Sequence, residues 1–291
     1  MSELPRVGFV GVGAIAEALI TGMCAGGEQR ATFLLSPRNS NIAKGLAASF
    51  PFIQVAADNQ AVIDGSDIVF IAVKPQVAAD VLSALKFRPD QHIVSLIATY
   101  DMARLRGLVA PASAIARLAP VPSVARRLGP LILYPPVEGI AALLQGLGQL
   151  LQLQKESDLD ALWTVTGLMA PYFGLLDEMV DWLVRQNLDA SQARPFVAAL
   201  FEALSVTAAE RSGEGFDKLR EAHTTLGGLN EQSYRELKAA GVAILLSEQN
   251  LHFATEVADR AYIIEKGQIR FSGSMAELNA NAEAQQQYLA V

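Results

Sequence analysis

The chain has 291 residues, 51% of them hydrophobic and 18% charged, the balance of a folded protein long enough for two domains rather than of a disordered one. Its net charge of -7 argues against nucleic acid as the main partner, its lone Cys24 cannot close an internal disulfide, and its three widely spaced histidines offer no metal-ligand spacing. Apolar runs are broken before the roughly 18 residues that a membrane helix needs, and the N-terminus has no signal-peptide form, so a cytoplasmic protein without a membrane span is expected.

From residue 6 onward, β-rich runs alternate with helical stretches: VGFV, TFLL, DIVFIAV, HIVSLIA and AIARLAP. Strands alternating with helices imply βαβ units and a mostly parallel sheet. VFIAV and IVSLI are apolar at nearly every position, as central strands covered on both faces are. LILY and LLQLQ read as outer strands, and RLAPVPSVARR (Arg117–Arg127) as a solvated basic loop. After Lys155 the pattern becomes helical. ESDLDALWTVTGLMAPYFGLLDEMVDWLVRQN keeps a helical period interrupted at Gly167 and Pro171, and SQARPFVAALFEALSVTAAERSG carries apolar positions at helical spacing. Apolar faces in so small a helical unit need covering, by a partner subunit or by the first domain, and a homodimer or higher homo-oligomer is the favoured expectation.

GVGAIA follows the first strand and opens the amphipathic stretch AIAEALITGM, the context in which GxGxxA cradles a dinucleotide pyrophosphate. Gly11 permits the tight turn, Gly13 admits the phosphates without a Cβ in the way, and Ala16 keeps the helix close to the sheet. The amides opening that helix, at Ala14, Ile15 and Ala16, face the anion. An NAD site usually places an acid after the second strand. Here LLSPRNS has none, and Ser36, Arg38 and Asn39 are placed to surround a 2′-phosphate, so NADPH is favoured over NADH.

These residues resemble the pyrroline-5-carboxylate reductases. GFVGVGAIAEALITG is similar to that family's opening motif, and AVKPQ to the segment beside the nicotinamide, which brings in Ala72, Val73, Lys74 and Pro75. Asn59 sits as the family's cofactor-reaching Asn does, and SLIATY near Ala98 resembles its next cofactor turn. The resemblance covers residues 6 to about 241. It implies a Rossmann-type domain (1–155), an all-helical dimerisation and substrate domain (156–242), and NADPH-dependent reduction of 1-pyrroline-5-carboxylate, or a related cyclic imine, to L-proline. A protonated imine is already electrophilic, so positioning supplies most of the catalysis and no certain catalytic side chain is named.

The family's carboxylate loop, usually Ser-Pro-Gly-Gly followed by small or hydroxyl residues, reads TTLGGLNEQ here. Thr225, Gly227, Gly228, Leu229 and Asn230 are the expected substrate residues. Leu226 stands in place of the proline, and Leu229 and Asn230 in place of common threonines. TGLMAPYFGLL and RLAPVPSVARR depart from the family's pattern as well, the latter keeping Arg117, Pro120 and Pro122. A different imine, or a non-catalytic NADP-binding relative, is the alternative expectation.

Residues 243–291 resemble the end of an ATP-binding subunit of branched-chain amino-acid ABC transporters, in ILLSEQN, FATEVADRAYIIEKGQIRFSG and QQYLAV. No GxxxxGK[ST] loop accompanies them, so ATP hydrolysis is not expected. The segment is read as a fusion joined near Ala240–Val242. Its expected elements are a strand at ILL, a helix over NLHFATEVAD, a hairpin turning at Lys266 and Gly267, and a closing helix.

Overall fold

The structure is a computed structural model, and it describes residues 4–26, 29–240, 260–265 and 268–281. The described residues fall into two compact units divided between Thr166 and Gly167, with the C-terminal hairpin grouped in the first.

The first unit is built on an eight-stranded sheet in the order β3-β2-β1-β4-β5-β6-β7-β8. Its strands are β1 (Arg6–Val10), β2 (Thr32–Leu35), β3 (Ile53–Val55), β4 (Ile68–Ile71), β5 (His92–Ser95), β6 (Ala114–Pro120), β7 (Pro130–Tyr134) and β8 (Gln149–Gln152). Every pairing is parallel except that of β6 with β7. All four residues of β4 are buried. The alternation of its side chains explains why: Phe70 joins a cluster with Phe9, Leu19 and Leu118 on one face, and Val69 and Ile71 join Leu82, Ile93 and Leu105 on the other. Phe9 and Phe70 stack with ring centroids 4.7 Å apart. The helices of this unit are α1 (Ala14–Cys24), α2 (Ser40–Ser49), α3 (Asn59–Asp64), α4 (Pro75–Ser83), α5 (Met102–Val109), α6 (Glu138–Leu144) and α7 (Glu156–Val165).

The expected α/β sheet is present, with several corrections. β3 is only three residues long and carries too little period to be read from sequence. α1 is buried along most of its length, at Ala16, Ala18, Leu19, Ile20, Gly22, Met23 and Cys24, rather than amphipathic. Its outer side is covered by RLAPVPSVARR, which is not a solvated loop. Arg117 lies in β6, and Pro122–Arg126 forms a 3-10 turn that buries Val124. That turn sits so close to α1 that a Cβ on Gly22 would collide with the Val124 carbonyl, and Arg127 Nε donates to the Gly22 carbonyl at 3.0 Å. By compactness α7 groups with the first unit, where Leu159 packs with Ala119 and Ile132.

The second unit consists of α8 (Met169–Arg185), α9 (Ala190–Glu210), α10 (Phe216–Ala222) and α11 (Leu229–Ala240). Val180, Ala193 and Val197 form its small core where α8 meets α9. Pro171 lies in the first turn of α8, where a missing amide hydrogen costs no helical bond. Helical structure runs almost unbroken over Glu156–Arg185, long and apolar enough by length and composition alone to cross a membrane, although Gly167, Pro171, Asp177, Glu178 and Asp181 break its apolar run, as the sequence leads one to expect.

In the tail, β9 (Arg260–Glu265) pairs antiparallel with β10 (Gln268–Ser274), followed by α12 (Met275–Ala280). Ser274 opens α12 with a capping box, its hydroxyl accepting from the Glu277 amide at 3.2 Å while Glu277 Oε2 accepts from the Ser274 amide at 2.7 Å. The expected hairpin is thus present. The expected strand at ILL, helix over NLHFATEVAD and turn at Lys266–Gly267 lie outside the described residues.

Candidate functional site

In an open α/β sheet a dinucleotide lies across the carboxyl ends of the strands where the strand order reverses, here between β1 and β4. The loops leaving β1, β2, β3, β4 and β5 share that edge, and they carry the fourteen residues expected to meet a cofactor. Gly11 has φ +90, and a Cβ there would lie 2.7 Å from the Ala72 carbonyl oxygen, so the turn demands glycine. Its amide donates to Ser36 Oγ at 2.9 Å. Gly13 caps α1 in an extended conformation, and no protein atom lies within 4 Å of where its Cβ would stand. Space for a ligand is left open beside the first amides of the helix. Ala14 is exposed and Ile15 half-buried, whereas Ala16 is fully buried, so its methyl group packs the helix on the sheet and only its backbone faces the edge.

Ser36 was expected beside a 2′-phosphate. Its side chain is fully buried and its hydroxyl is engaged by Gly11, which makes it a brace for the glycine turn. Arg38 and Asn39 are exposed just after β2. Asn59 opens α3 behind Asp58, whose Oδ1 caps the helix by accepting from the Ala61 amide at 2.8 Å. After β4, Ala72 and Val73 are half-buried and Lys74 is exposed. Pro75 starts α4 at a position where its fixed φ suits the helix. Ala98 is exposed in the turn that follows β5.

Four residues behind this edge escaped the sequence reading as site residues: Tyr100, Arg117, Glu156 and Asp160. Arg117 is 2% exposed. Its Nη2 donates to the Ala98 carbonyl at 2.9 Å, and its Nη1 to Glu156 Oε1 at 2.7 Å and Asp160 Oδ1 at 3.0 Å. Burial pushes the Asp160 carboxyl above its ordinary value, reinforced by the nearby Glu156 and Asp101 and opposed by Arg117. Tyr100, also buried, donates from its hydroxyl to the Pro75 carbonyl at 3.2 Å and accepts from Arg104 Nη2 at 3.1 Å. The signal that could have exposed the cluster is a charged residue in the middle of the apolar strand AIARLAP, since a buried guanidinium requires partners.

The expected substrate residues gather in the second unit, in the turn between α10 and α11 and in the first turn of α11. Gly227 has φ +75, and its amide donates to Glu231 Oε2 at 2.6 Å. The Gly228 amide donates to the Thr225 carbonyl at 2.8 Å, and Asn230 Nδ2 donates to the His223 carbonyl at 2.8 Å. Asn230 therefore spends one amide hydrogen inside the turn. Leu226 and Leu229 are 91% and 78% exposed.

Comparison with known proteins places both units in one lineage. The family described as "NADP oxidoreductase coenzyme F420-dependent" matches residues 6–99, and "Pyrroline-5-carboxylate reductase dimerisation" matches residues 156–257. The second match runs past the expected junction at Ala240–Val242. The pyrroline-5-carboxylate reductase of Pseudomonas aeruginosa is 30% identical over 263 residues, covering 87% of this chain and 95% of that protein. Among solved structures, the 1-pyrroline-5-carboxylate reductase of Streptococcus pyogenes superposes with TM-score 0.71 at 22% identity, covering 82% of this chain and 93% of that one. The pyrroline carboxylate reductase of Plasmodium falciparum with NADP bound superposes with TM-score 0.68 at 19% identity, covering 81% and 90%. With a fold shared across these proteins and a near full-length relative at that identity, the chain belongs to the pyrroline-5-carboxylate reductase family.

Proposed function

We propose that this protein is an oxidoreductase that reduces 1-pyrroline-5-carboxylate to L-proline with NADPH. The observation that carries the reading is the cradle at the sheet edge: a glycine turn braced by Ser36, with open space at Gly13 where a side chain would otherwise stand. These residues fit a dinucleotide. The amides of Ala14, Ile15 and Ala16 hold the pyrophosphate, and Arg38 and Asn39 take the 2′-phosphate by charge-assisted hydrogen bonds. Asn59, Ala72, Val73, Lys74, Pro75 and Ala98 border the rest of the cofactor. When bound, the nicotinamide supplies a hydride to the imine carbon. The protein's part is to orient the ring and to hold the substrate carboxylate, for which the turn of Thr225, Gly227, Gly228, Leu229 and Asn230 is the proposed site.

One observation favours a second reading, in which the substrate site has changed or decayed and the chain binds NADP without this turnover. Glu231 already occupies the Gly227 amide, and two exposed leucines crown the turn. Purified protein given NADPH and 1-pyrroline-5-carboxylate separates the two: steady NADPH oxidation with matching proline supports the reductase, and tight NADPH binding without turnover supports the binder. Cofactor choice is tested by Arg38→Asp, which should weaken NADPH about 10- to 100-fold while sparing NADH, given roughly 1.5–3 kcal/mol for a charge-assisted bond. Unchanged preference counts against the 2′-phosphate role.

The protein is also proposed to be a homodimer, with neither membrane nor nucleic acid as partner. A groove between α8 and α9, in which Met179, Trp182, Leu183, Phe196, Val197 and Leu200 lie beside the charged Glu178 and Arg185, supports a protein partner for the apolar helices. Residues 243–291 are proposed to be a transporter-like addition without ATPase activity, unneeded for cofactor binding. Deleting them should leave NADPH affinity intact, and loss of affinity would refute their dispensability.

A further inference from the structure

We infer that Arg117 and Tyr100 are positioning residues for the nicotinamide half of the cofactor, acting through the two turns that follow β4 and β5 without touching the ligand. The inference rests on the proposed dinucleotide site.

A dinucleotide that spans the switch point places one nucleotide on each side of it. The glycine turn after β1 and the Arg38 segment after β2 serve the adenosine side. The other half must then lie over the loops after β4 and β5, residues 72–76 and 96–100. Each of these loops is tethered from behind. Tyr100 Oη donates to the Pro75 carbonyl at 3.2 Å, joining one loop to the other. Arg104 fixes the phenol, with Nη2 3.1 Å from the hydroxyl and Cζ 3.7 Å from the ring centroid. Arg117 Nη2 holds the Ala98 carbonyl at 2.9 Å.

Arg117 is itself held from α7. Glu156 Oε1 accepts from Arg117 Nη1 at 2.7 Å and from the Met102 amide at 2.8 Å, so one carboxylate oxygen locks both the guanidinium and the start of α5. Asp160 supplies the second carboxylate contact at 3.0 Å. The assembly is costly for simple packing. Arg117 Nε is buried and makes no hydrogen bond to a described residue, a loss of roughly 1–3 kcal/mol that an apolar side chain in β6 would avoid. Retaining a guanidinium here gives a planar donor that grips a carbonyl and two carboxylates from one strand position. The grip is directed at the Ala98 turn and not at the glycine turn, so it acts on one half of the cofactor only.

That asymmetry sets the test. NADPH contacts both halves of the site, whereas adenosine 2′,5′-bisphosphate contacts the adenosine half alone. Affinities for both should be measured by titration on the full-length wild type, Tyr100→Phe and Arg117→Lys, with melting temperature and kcat recorded alongside. Tyr100→Phe keeps the buried ring and its stacking with Arg104 and removes the hydroxyl that donates to Pro75 and accepts from Arg104, so the fold should hold, as the melting temperature checks. The expected result is a fall of about 5- to 10-fold in NADPH affinity and about 10- to 100-fold in kcat, with bisphosphate affinity held within about twofold, as small misplacements of a reacting group produce. Arg117→Lys should show the same pattern, with part of the activity kept by its remaining charge. Equal weakening of both ligands, or a change in neither, overturns the inference. Should the wild type bind neither ligand, the dinucleotide site fails and the inference with it; should it bind both without turnover, the affinity comparison still decides.

Discussion

The two units of this molecule solve burial differently. In the sheet unit, β1, β4, β5 and β6 bury nearly every apolar residue between helices on both faces. In the helical unit, only Val180, Ala193 and Val197 are buried within the core of α8 and α9, while Phe173 and Phe196 stay 65% and 63% exposed and Trp182, Leu200 and Val206 are exposed as well. The helical unit leaves an apolar surface too extensive for an isolated domain, so its stability depends on what covers it. The family match over residues 156–257 carries dimerisation in its description, in line with the proposed homodimer. The same contrast holds at the two proposed sites: the edge proposed for the cofactor is braced by Ser36, Tyr100 and Arg117, whereas the turn proposed for the substrate is held by local bonds to Glu231, His223 and Thr225.

The largest expected effect comes from attacking the uncovered surface. Phe173→Asp with Phe196→Asp should convert a dimer to a monomer in sedimentation and remove activity. Each buried phenylalanine contributes about 1.5–3 kcal/mol, and a twofold interface counts each one twice. A mass unchanged by the double substitution would place the interface elsewhere. A more selective blow falls on the sheet unit. Gly13→Val meets no protein atom within 4 Å of its Cβ, so the melting temperature should hold while NADPH affinity drops about 100-fold, the scale of roughly 3 kcal/mol of lost phosphate contacts. A large drop in melting temperature would show that the space is structural and not a ligand cradle.

The smallest effect concerns the edge of β1. Asp67 accepts from Arg6 Nη2 at 2.6 Å, and this hydrogen bond holds its carboxyl below the ordinary value of 3.8. With a depressed folded value, the pair's contribution is present above 3.8 and is lost as pH falls through the folded value. Both side chains are largely exposed, which limits the gain to about 0–1 kcal/mol. Asp67→Asn should therefore lower stability slightly at pH 7 and converge with wild type in acid. A gap that persists in acid would contradict this assignment of the charge pair.

Much of the sheet unit was legible because its signals are local. Gly11 and Gly13 sit between a strand and a helix at fixed spacing, and VFIAV and IVSLI declare two-sided burial residue by residue. What escaped depends on contacts distant in sequence. Arg117 reads as a surface base until Glu156 and Asp160, some forty positions on, supply its counter-charges. RLAPVPSVARR looked solvated because nothing in it announces that Val124 packs on α1. The place of Ser36 after β2 points to a phosphate, whereas the acceptor role of its hydroxyl towards the Gly11 amide, twenty-five residues earlier, is a contact that no local pattern announces. In the substrate turn, the residues were legible only through family resemblance, and the capture of the Gly227 amide by Glu231 follows from the turn's geometry rather than from any motif.

The most direct test of the account follows the hydrogen itself. NADPH carrying deuterium at both hydrogen positions of the transferring carbon of the nicotinamide should be incubated with the full-length protein and 1-pyrroline-5-carboxylate, and the product analysed by mass spectrometry. The account predicts proline with one deuterium on the former imine carbon, formed in step with NADPH consumed. Bound NADPH with no labelled proline would contradict it.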